Sequence, residues 1–293
     1  MDKIGFLGLG AMGTPMAANI LNKGYPLAVY NRTASRAAAL QELGATLCST
    51  PRELAERSDS VVIMVTGPSD LLAVLDGPDG VVAGLGPDKR VINMSTVSDT
   101  ATEQAAALVT QAGADYVDAP VSGSVKPAID GALVILAGAT PGALERCMPL
   151  LKSMGREVIH CGGVCSGTRM KLVLNLLLGN MMESLAEALL LARRFELDPA
   201  AVLGALGGGP MAAPMFQLKG KAIIEGNFSK QFPVHLIFKD LTLVLEAARQ
   251  HLPLPQTAAT RESFNSAMVR GYGDEDMAAV IKALEAMAAT KQN

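Results

Sequence analysis

The chain has 293 residues, of which 49% are hydrophobic and 18% are charged, and its net charge is −3. This composition allows one large domain or two of ordinary size with a sizeable core, and it excludes a disordered chain. No Lys/Arg-rich run occurs, Trp is absent and aromatic residues make up only 4%, so neither an electrostatic surface for nucleic acid nor a base-stacking surface is expected.

The first half of the sequence alternates short apolar runs with helical patterns. The apolar runs predict strands at residues 4–7, 27–30, 61–65, 91–94 and 116–118, with two more at 133–137 and 158–160. Helical patterns lie between them at residues 12–23, 34–43, 51–57, 69–75 and 100–111. Strands that are apolar throughout and alternate with helices are typical of a parallel sheet covered on both faces.

Strand patterns end near residue 163, and helical patterns follow, divided by runs of glycine and proline. These patterns lie at residues 166–195, 199–206, 215–225, 234–251 and 274–289. The sequence therefore predicts an α/β fold with a Rossmann-type, doubly wound N-terminal domain over residues 1–163. An all-α C-terminal domain is predicted over residues 164–293, with its first, long helix serving as the interdomain helix.

The most apolar segment, residues 170–192, is predicted to be a buried helix and not a membrane span, because polar side chains interrupt it. These side chains are Lys171, Asn175, Asn180, Glu183 and Glu187. The chain enters a strand pattern at residue 4, so we expect no signal peptide and a cytoplasmic protein.

A glycine-rich turn directly follows the first predicted strand. Gly8, Gly10 and Gly13 form the pattern G-x-G-x-x-G just before the first helical pattern. In such a turn the first glycine permits a tight bend, the second lets a pyrophosphate approach the backbone, and the third lets the helix pack on the strand. The helix N-terminus then presents free N–H groups to the phosphates. We predict a dinucleotide site that includes the loop residues Leu9, Ala11 and Met12; a glycine-rich turn without a ligand is the alternative.

The end of the second predicted strand indicates which dinucleotide binds. An NAD site of this type carries an acidic residue about 20 residues beyond the glycines, but here the strand ends in Asn31, Arg32 and Thr33. A guanidinium is permanently charged and suits a phosphate, and a hydrogen bond to a charged group contributes about 1.5–3 kcal/mol. We therefore predict NADP(H) over NAD(H), with Asn31 and Thr33 adding neutral hydrogen bonds. The alternative is that Arg32 is a solvated residue leading into the next helix.

A lysine and an asparagine lie one helical turn apart near the start of the long helical pattern. Gly167, Lys171 and Asn175 follow one another at intervals of four residues, which places them near one helix face. The small Gly167 leaves room, and a lysine among Leu and Val side chains is unfavourable to bury unless it is used. Burial would also disfavour the charged ammonium form, so the group would donate its proton more readily. A lysine that extends to the surface is the alternative, and spacing alone does not decide between the two.

Over essentially its full length the chain resembles the β-hydroxyacid dehydrogenase family. The family's motifs occur in order as the glycine turn, D-A-P-V-S-G at residues 118–123, G-x-x-x-K-x-x-x-N at residues 167–175 and K-D at residues 239–240. Most members have two glycines after the loop serine, whereas this chain has Gly123 followed by Ser124. That loop, N-R-T at residues 31–33 and Phe232 followed by Pro233 are similar to the glyoxylate/succinic semialdehyde reductase branch.

The resemblance implies an NADPH-dependent oxidoreductase that reduces small aldehyde acids, succinic semialdehyde to 4-hydroxybutyrate and glyoxylate to glycolate. It implies that Lys171 is the catalytic proton donor, and that the substrate is bound by Ser122, Gly123, Ser124, Asn175 and Phe232. It further implies that the cofactor is lined by Val65, Thr66, Thr96 and Lys239. No metal is needed, because the cofactor carries the redox chemistry. The resemblance also suggests a homodimer or homotetramer.

Each of these assignments has a structural alternative. Thr66 and Thr96 could simply cap strand ends, the loop at 122–124 could close a hairpin, and Lys239 could form a surface ion pair with Asp240. Phe232 could belong to the core. For the whole protein, the alternatives are a 3-hydroxyisobutyrate dehydrogenase, a tartronate semialdehyde reductase, or a dehydrogenase-like interaction module that is not an enzyme. The presence of Lys171 and Asn175 favours an enzyme.

Overall fold

The structure, a computed structural model, describes residues 1–249 and 251–289. The chain divides into two compact units, the first over Met1–Lys171 and the second from Leu172 on. This division falls within a helix, whereas the sequence pattern changes earlier, near residue 163. The difference arises because the first turns of that helix pack against the strands of the first unit.

The first unit contains a nine-stranded sheet. Its strands are β1 (Ile4–Leu7), β2 (Leu27–Tyr30), β3 (Thr46–Leu47), β4 (Ser60–Ile63), β5 (Arg90–Asn93), β6 (Asp115–Asp118), β7 (Val121–Ser122), β8 (Leu133–Gly138) and β9 (Gly155–Gly162). They lie in the order β3-β2-β1-β4-β5-β6-β8-β7, with β9 paired to β8. Strands β1 to β6 are parallel, which confirms the predicted Rossmann-type sheet. Strand β8 runs antiparallel to β6 and β7.

Helices cover both faces of this sheet. They are α1 (Gly13–Asn22), α2 (Ala38–Glu42), α3 (Pro51–Glu56), α4 (Pro68–Leu75), α5 (Asp99–Gln111), α6 (Val125–Ile129) and α7 (Pro141–Met154). Neighbouring strand residues belong to two separate cores: Phe6 and Val62 lie in one, and Leu7 and Ile63 lie in the other. Because successive strand side chains point to opposite faces, strands that are apolar at every position bury both.

The second unit is helical, as predicted. Helix α8 (Ser166–Arg194) crosses the division, and α9 (Pro199–Gly208), α10 (Pro214–Ile224), α11 (Val234–Ala248), α12 (Pro255–Val269) and α13 (Val280–Ala289) follow. A 3₁₀ turn at Met277–Ala279 precedes α13, so the single helix predicted over residues 274–289 is wrong at its start. The cause is Asp276, whose side chain accepts from the backbone N–H of Ala278 and begins the turn there.

Two helices of 14 and 15 residues were missed in the sequence patterns. Helix α7 has the start signals of Thr140, which accepts from the Ala143 N–H, and Pro141, but Pro149 interrupts its interior. Helix α12 buries only four positions, and two of these are threonines, so its apolar periodicity is weak. The two-residue strands β3 and β7 are too short to give a pattern.

A buried ion pair fixes the loop before α11 in the second unit. Lys219 on α10 places its Nζ 2.8 Å from both carboxylate oxygens of Asp276, and the two side chains are 10% and 4% exposed. The same carboxylate accepts from the backbone N–H of Phe232 at 3.0 Å. The N–H of Met277 donates back to the Phe232 carbonyl at 2.8 Å. Both the N–H and the carbonyl of Phe232 are therefore fixed by hydrogen bonds.

Helix α8 is partly exposed along an apolar stripe. In its most apolar window of 18 residues, 44% is buried inside the protein. Met170, Val173, Leu177 and Leu191 remain exposed at spacings of three, four and fourteen residues, which place them on one side of the helix. The homodimer or homotetramer stays a prediction of the sequence.

Glu183 is a buried acid on α8. It is 7% exposed, and its Oε2 has no hydrogen-bond partner among the described residues. Burial, with a smaller contribution from the charge of Glu187, raises the pKa of Glu183 to about 7. A carboxyl pKa that is higher in the folded protein than in the unfolded chain stabilises the fold at low pH. That contribution is lost as the pH rises from 4.5 to about 7.

We expect Glu183→Gln to raise the free energy of unfolding at pH 8 by on the order of 2 kcal/mol, because it removes the buried charge. The gain should shrink as the pH falls towards 5. Urea unfolding of both proteins across this pH range measures it, with the exposed Glu246→Gln on α11 as control. If the free energies of unfolding of wild type and Glu183→Gln change with pH in the same way, the raised pKa of Glu183 is contradicted.

Candidate functional site

The glycine turn between β1 and α1 has two glycines that the fold requires and one that it does not. Gly8 has φ +101°, and a Cβ there would overlap the Met64 carbonyl. A Cβ on Gly13 would overlap the Gly8 carbonyl. At Gly10, by contrast, no heavy atom of the described chain beyond the two adjacent residues lies within 4 Å of the Cβ position. The space beside Gly10 is therefore open to a ligand, as a pyrophosphate cradle requires.

Asn31 shapes this turn from the end of β2. Its Oδ1 accepts from the Leu9 N–H at 2.9 Å, and its Nδ2 donates to the Thr33 carbonyl at 2.9 Å. Both polar atoms of the amide are thus engaged within the protein. Leu9 itself is buried, while Ala11 is exposed and Met12 half-buried at the start of α1. Asn31 therefore joins the end of β2 to the backbone of the glycine turn at Leu9.

A cavity of about 540 Å³ opens beside the turn. Seven of the predicted cofactor residues line it: Gly8, Gly10, Asn31, Arg32, Thr33, Val65 and Thr66. Arg36 also lines it and was missed, because Arg32 precedes the 3₁₀ turn at Ala34–Ala37 and no helical spacing relates the two side chains. Asp70, on α4, and Asp76 and Asp79, in the segment after it, also line the cavity. The guanidinium groups of Arg32 and Arg36 belong to exposed residues, as a site for a solvated phosphate would need.

The ends of β4 and β5 are tied together at the edge of the sheet that carries this cavity. Ser95 Oγ accepts from the Val65 N–H at 2.9 Å, and the Ser95 N–H donates to Asn93 Oδ1 at 3.1 Å. Thr66 and Thr96 follow these strand ends and are exposed and half-buried respectively. The carboxyl ends of parallel strands are where doubly wound folds bind ligands.

The predicted substrate loop lies between β7 and α6. Ser122 is the last residue of β7, and Gly123 has φ +136° with a Cβ position 2.8 Å from Leu133 Cδ2. Ser124 precedes the first residue of α6. A side chain at position 123 would be strained for both reasons, so the glycine is explained by the backbone. The role of this loop in substrate binding stays a prediction.

Helix α8 begins in close contact with the strands of the first unit. A Cβ on Gly167 would overlap the Leu136 carbonyl and lie 2.7 Å from the Asp118 carbonyl. Gly167 thus makes room for strand backbone, which spacing alone could not reveal. Lys171 is half-buried and lies one turn further along the same helix.

Asp118, the last residue of β6, meets the first turn of α8. Its Oδ1 accepts from the Cys165 N–H at 2.8 Å and its Oδ2 from the Thr168 N–H at 2.7 Å. Asp118 is fully buried, and that burial, opposed by these two hydrogen bonds, raises its pKa to about 6. Asp118 is the first residue of the D-A-P-V-S-G motif, and the motif alone indicates no role for it.

In the second unit Asn175 belongs to a buried polar chain. Its Nδ2 donates to Asp240 Oδ2 at 2.6 Å, and Lys239 Nζ lies 2.9 Å from Asp240 Oδ1. The side chains of Lys239 and Asp240 are 23% and 4% exposed, so their ion pair is mostly buried and not the surface pair considered above. Asp240 therefore orients two of the predicted site residues. Phe232, the remaining one, is half-buried and packs against the core of this unit.

Two family models match the chain. The model described as the NAD binding domain of 6-phosphogluconate dehydrogenase matches residues 3–163. The model described as NAD-binding of NADP-dependent 3-hydroxyisobutyrate dehydrogenase matches residues 165–284. Together they account for nearly the whole sequence.

Known proteins are similar over nearly the whole chain. A 2-(hydroxymethyl)glutarate dehydrogenase of Eubacterium barkeri is 38% identical over 287 residues, which are 97% of this chain and 95% of that protein. Glyoxylate/succinic semialdehyde reductase 2 of Arabidopsis thaliana is 37% identical over 286 residues, 97% of this chain and 79% of that protein. The structure of a Mycobacterium tuberculosis 3-hydroxyisobutyrate dehydrogenase matches with a TM-score of 0.89 at 26% identity, covering 97% of this chain and 99% of that one.

The glycine turn separates ligand binding from folding in a testable way. We expect Gly10→Ala to keep the wild-type unfolding temperature and to weaken dinucleotide binding at least ten-fold, because its methyl group enters open space. Gly13→Ala should instead lower the unfolding temperature, since its methyl group meets the Gly8 carbonyl. Calorimetry and thermal unfolding of both variants check this. Wild-type affinity in Gly10→Ala would show that the turn binds no phosphate.

Proposed function

Since the chain belongs to the β-hydroxyacid dehydrogenase family of NAD(P)-dependent oxidoreductases, we propose that it reduces small aldehyde acids with NADPH. The substrates we propose are succinic semialdehyde, which becomes 4-hydroxybutyrate, and glyoxylate, which becomes glycolate. The observation that carries the proposal is the half-buried Lys171, one turn beyond the point where α8 contacts β6 and β8. It provides a proton donor on the unit that also holds the glycine turn.

The residues around the glycine turn fit the cofactor. The open space at Gly10 would admit the pyrophosphate, next to the N-terminus of α1, and a helix N-terminus favours a phosphate group. Arg32 and Arg36, with the Thr33 hydroxyl, would hold the 2′-phosphate that distinguishes NADPH from NADH. No acidic residue takes the place of Arg32 at the end of β2, where an NAD site has its acid.

The chemistry divides between cofactor and protein. When bound, the reduced nicotinamide supplies a hydride to the aldehyde carbon of the substrate. The Lys171 ammonium donates a hydrogen bond to the aldehyde oxygen and gives it a proton as negative charge develops there. The aldehyde becomes an alcohol, and Lys171 regains its proton from water.

The other site residues would hold the acid end of the substrate. Hydroxyl and backbone N–H groups of the loop at 122–124 can bind a carboxylate without an arginine. Asn175 would orient Lys171 or the substrate, itself held by Asp240. The buried ion pair of Lys219 and Asp276 supports the backbone of Phe232. The Phe232 side chain would pack against the substrate chain.

A second candidate is oxidation of 2-(hydroxymethyl)glutarate, supported by the 38% identity to a dehydrogenase of that name. Reduction of the semialdehydes of the 3-hydroxyisobutyrate and tartronate enzymes is the remaining alternative. The Gly123–Ser124 loop, in place of two glycines, is the feature that favours the proposed substrates over a branched C4 hydroxyacid.

Rates with a set of substrates and both cofactors test the proposed function. Glyoxylate and succinic semialdehyde should give higher kcat/KM than tartronate semialdehyde, methylmalonate semialdehyde or the aldehyde that corresponds to 2-(hydroxymethyl)glutarate. With the best substrate, Lys171→Ala should lower kcat by at least a hundred-fold while NADPH still binds. The exposed Lys152→Ala in the same unit is the control. If Lys171→Ala retains near-normal turnover, Lys171 is not the proton donor.

The preference for NADPH is tested at Arg32. We expect Arg32→Asp to lower the NADPH/NADH ratio of kcat/KM by about ten- to hundred-fold or more, because it replaces a charge-assisted hydrogen bond to the phosphate by repulsion. Arg156→Asp, an exposed substitution on β9, controls for the change in net charge. An unchanged ratio in Arg32→Asp would refute the assignment.

A further inference from the structure

The start of α8 is capped by a residue from a distant part of the chain. The first N–H groups of a helix lack partners within the helix, and a local Ser, Thr, Asp or Asn commonly supplies one. Here the position before α8 is Cys165, with φ +76°. The acceptor is Asp118 on β6, which lies 47 residues before Cys165 and 50 before Thr168. The carboxylate also lies at the positive end of the helix dipole.

This contact fixes the first turn of α8 in more than one direction. The two oxygens of Asp118 bind two N–H groups that are three residues apart, so the helix can neither shift nor rotate without losing one of them. A Cβ on Gly138 would meet the same carboxylate, which shows how closely the strands surround it. Thr168 Oγ1 is also 3.0 Å from Thr102 Oγ1 on α5. Lys171 follows Thr168 by three residues, about one turn.

The same strand end is connected to the cofactor edge of the sheet. Asp118 pairs in register with Asn93, the last residue of β5. Asn93 Oδ1 accepts from the Ser95 N–H, and Ser95 Oγ accepts from the N–H of Val65, which lines the cavity. A chain of hydrogen bonds and strand pairing therefore runs from the cofactor cavity to the helix that carries Lys171.

We propose that Asp118 is a positioning residue for the reaction: by holding the first turn of α8, its carboxylate places the Lys171 ammonium where the aldehyde oxygen binds. This inference rests on the proposed role of Lys171 as proton donor. A buried carboxylate is an unfavourable way to cap a helix, since a hydroxyl at position 165 would satisfy an N–H group without burying a charge. What Asp118 adds is a fixed relation between helix and sheet.

Asp118→Asn tests the proposal because it keeps the shape of the side chain. An amide offers one acceptor oxygen, and its NH₂ group faces an N–H donor, so one of the two hydrogen bonds to α8 is lost. We expect kcat to fall about ten- to hundred-fold, since a displacement of about 1 Å can cost that much. The KM for the aldehyde and the Kd for NADPH should stay within about two-fold of wild type. Glu103→Gln, which removes only an exposed α5–α8 ion pair, should leave kcat unchanged.

A double-mutant cycle separates positioning from general damage to the fold. If Asp118 acts through Lys171, Asp118→Asn should cause no further loss of kcat in the Lys171→Ala protein. The same fold-loss in both backgrounds, or a wild-type kcat for Asp118→Asn, would overturn the proposal. Lys171→Ala alone tests the proposed function, so its failure is distinguishable from a failure at Asp118.

A milder variant covers the case in which Asp118→Asn does not fold. Thr102→Val removes the hydroxyl that contacts Thr168 and keeps the side-chain volume. It should lower kcat less than Asp118→Asn, again with no effect in the Lys171→Ala background. A loss of kcat that persists without Lys171 would overturn the proposal here too.

Discussion

The close approach of α8 to the ends of β6 and β8 is the constraint on which the proposed active site depends. Gly167 makes the approach possible, because any side chain there would overlap the Leu136 carbonyl. Asp118 makes it specific, because its two oxygens bind two particular N–H groups. A helix held in this way has a defined rotation about its axis. The direction in which Lys171 leaves the helix is therefore set by backbone contacts. The position of its ammonium group then depends less on the conformation of the flexible side chain.

Both units support their predicted site residues by the same means, a buried carboxylate that binds more than one partner. In the first unit Asp118 holds the start of α8. In the second, Asp240 orients Asn175 and Lys239, and Asp276 joins Lys219 to the backbone of Phe232. Buried charges of this kind add little net stability, since desolvation offsets their attraction. Their value lies in fixing geometry, which a catalytic arrangement requires more than a core does.

The sequence was sufficient where a structural feature depends on neighbouring residues. Apolar strands, the glycine turn and the i, i+4 spacing of Lys171 and Asn175 are local patterns, and the Rossmann-type sheet and helical second unit followed from them. Helix α12 was not predicted, because Thr257 and Thr260 occupy two of its buried positions. Cys165, which donates to Asp118, and Asn175, which donates to Asp240, lie 47 and 65 residues away from them, and no periodicity reports contacts across such distances. The spacing of Gly167 indicated that it leaves room on the helix, but only the structure shows that the room is taken by strand backbone.

Asn31 has a consequence for how cofactor choice can change in this protein. Its amide oxygen accepts from the Leu9 N–H of the glycine turn and its amide nitrogen donates to the Thr33 carbonyl, while the adjacent, exposed Arg32 lines the cavity. Asn31 thus supports the shape of the glycine turn, and the next residue, Arg32, supplies the positive charge. On the proposed assignment, substitutions at positions 32, 33 and 36 would change the cofactor preference while the contact of Asn31 with the glycine turn stays in place.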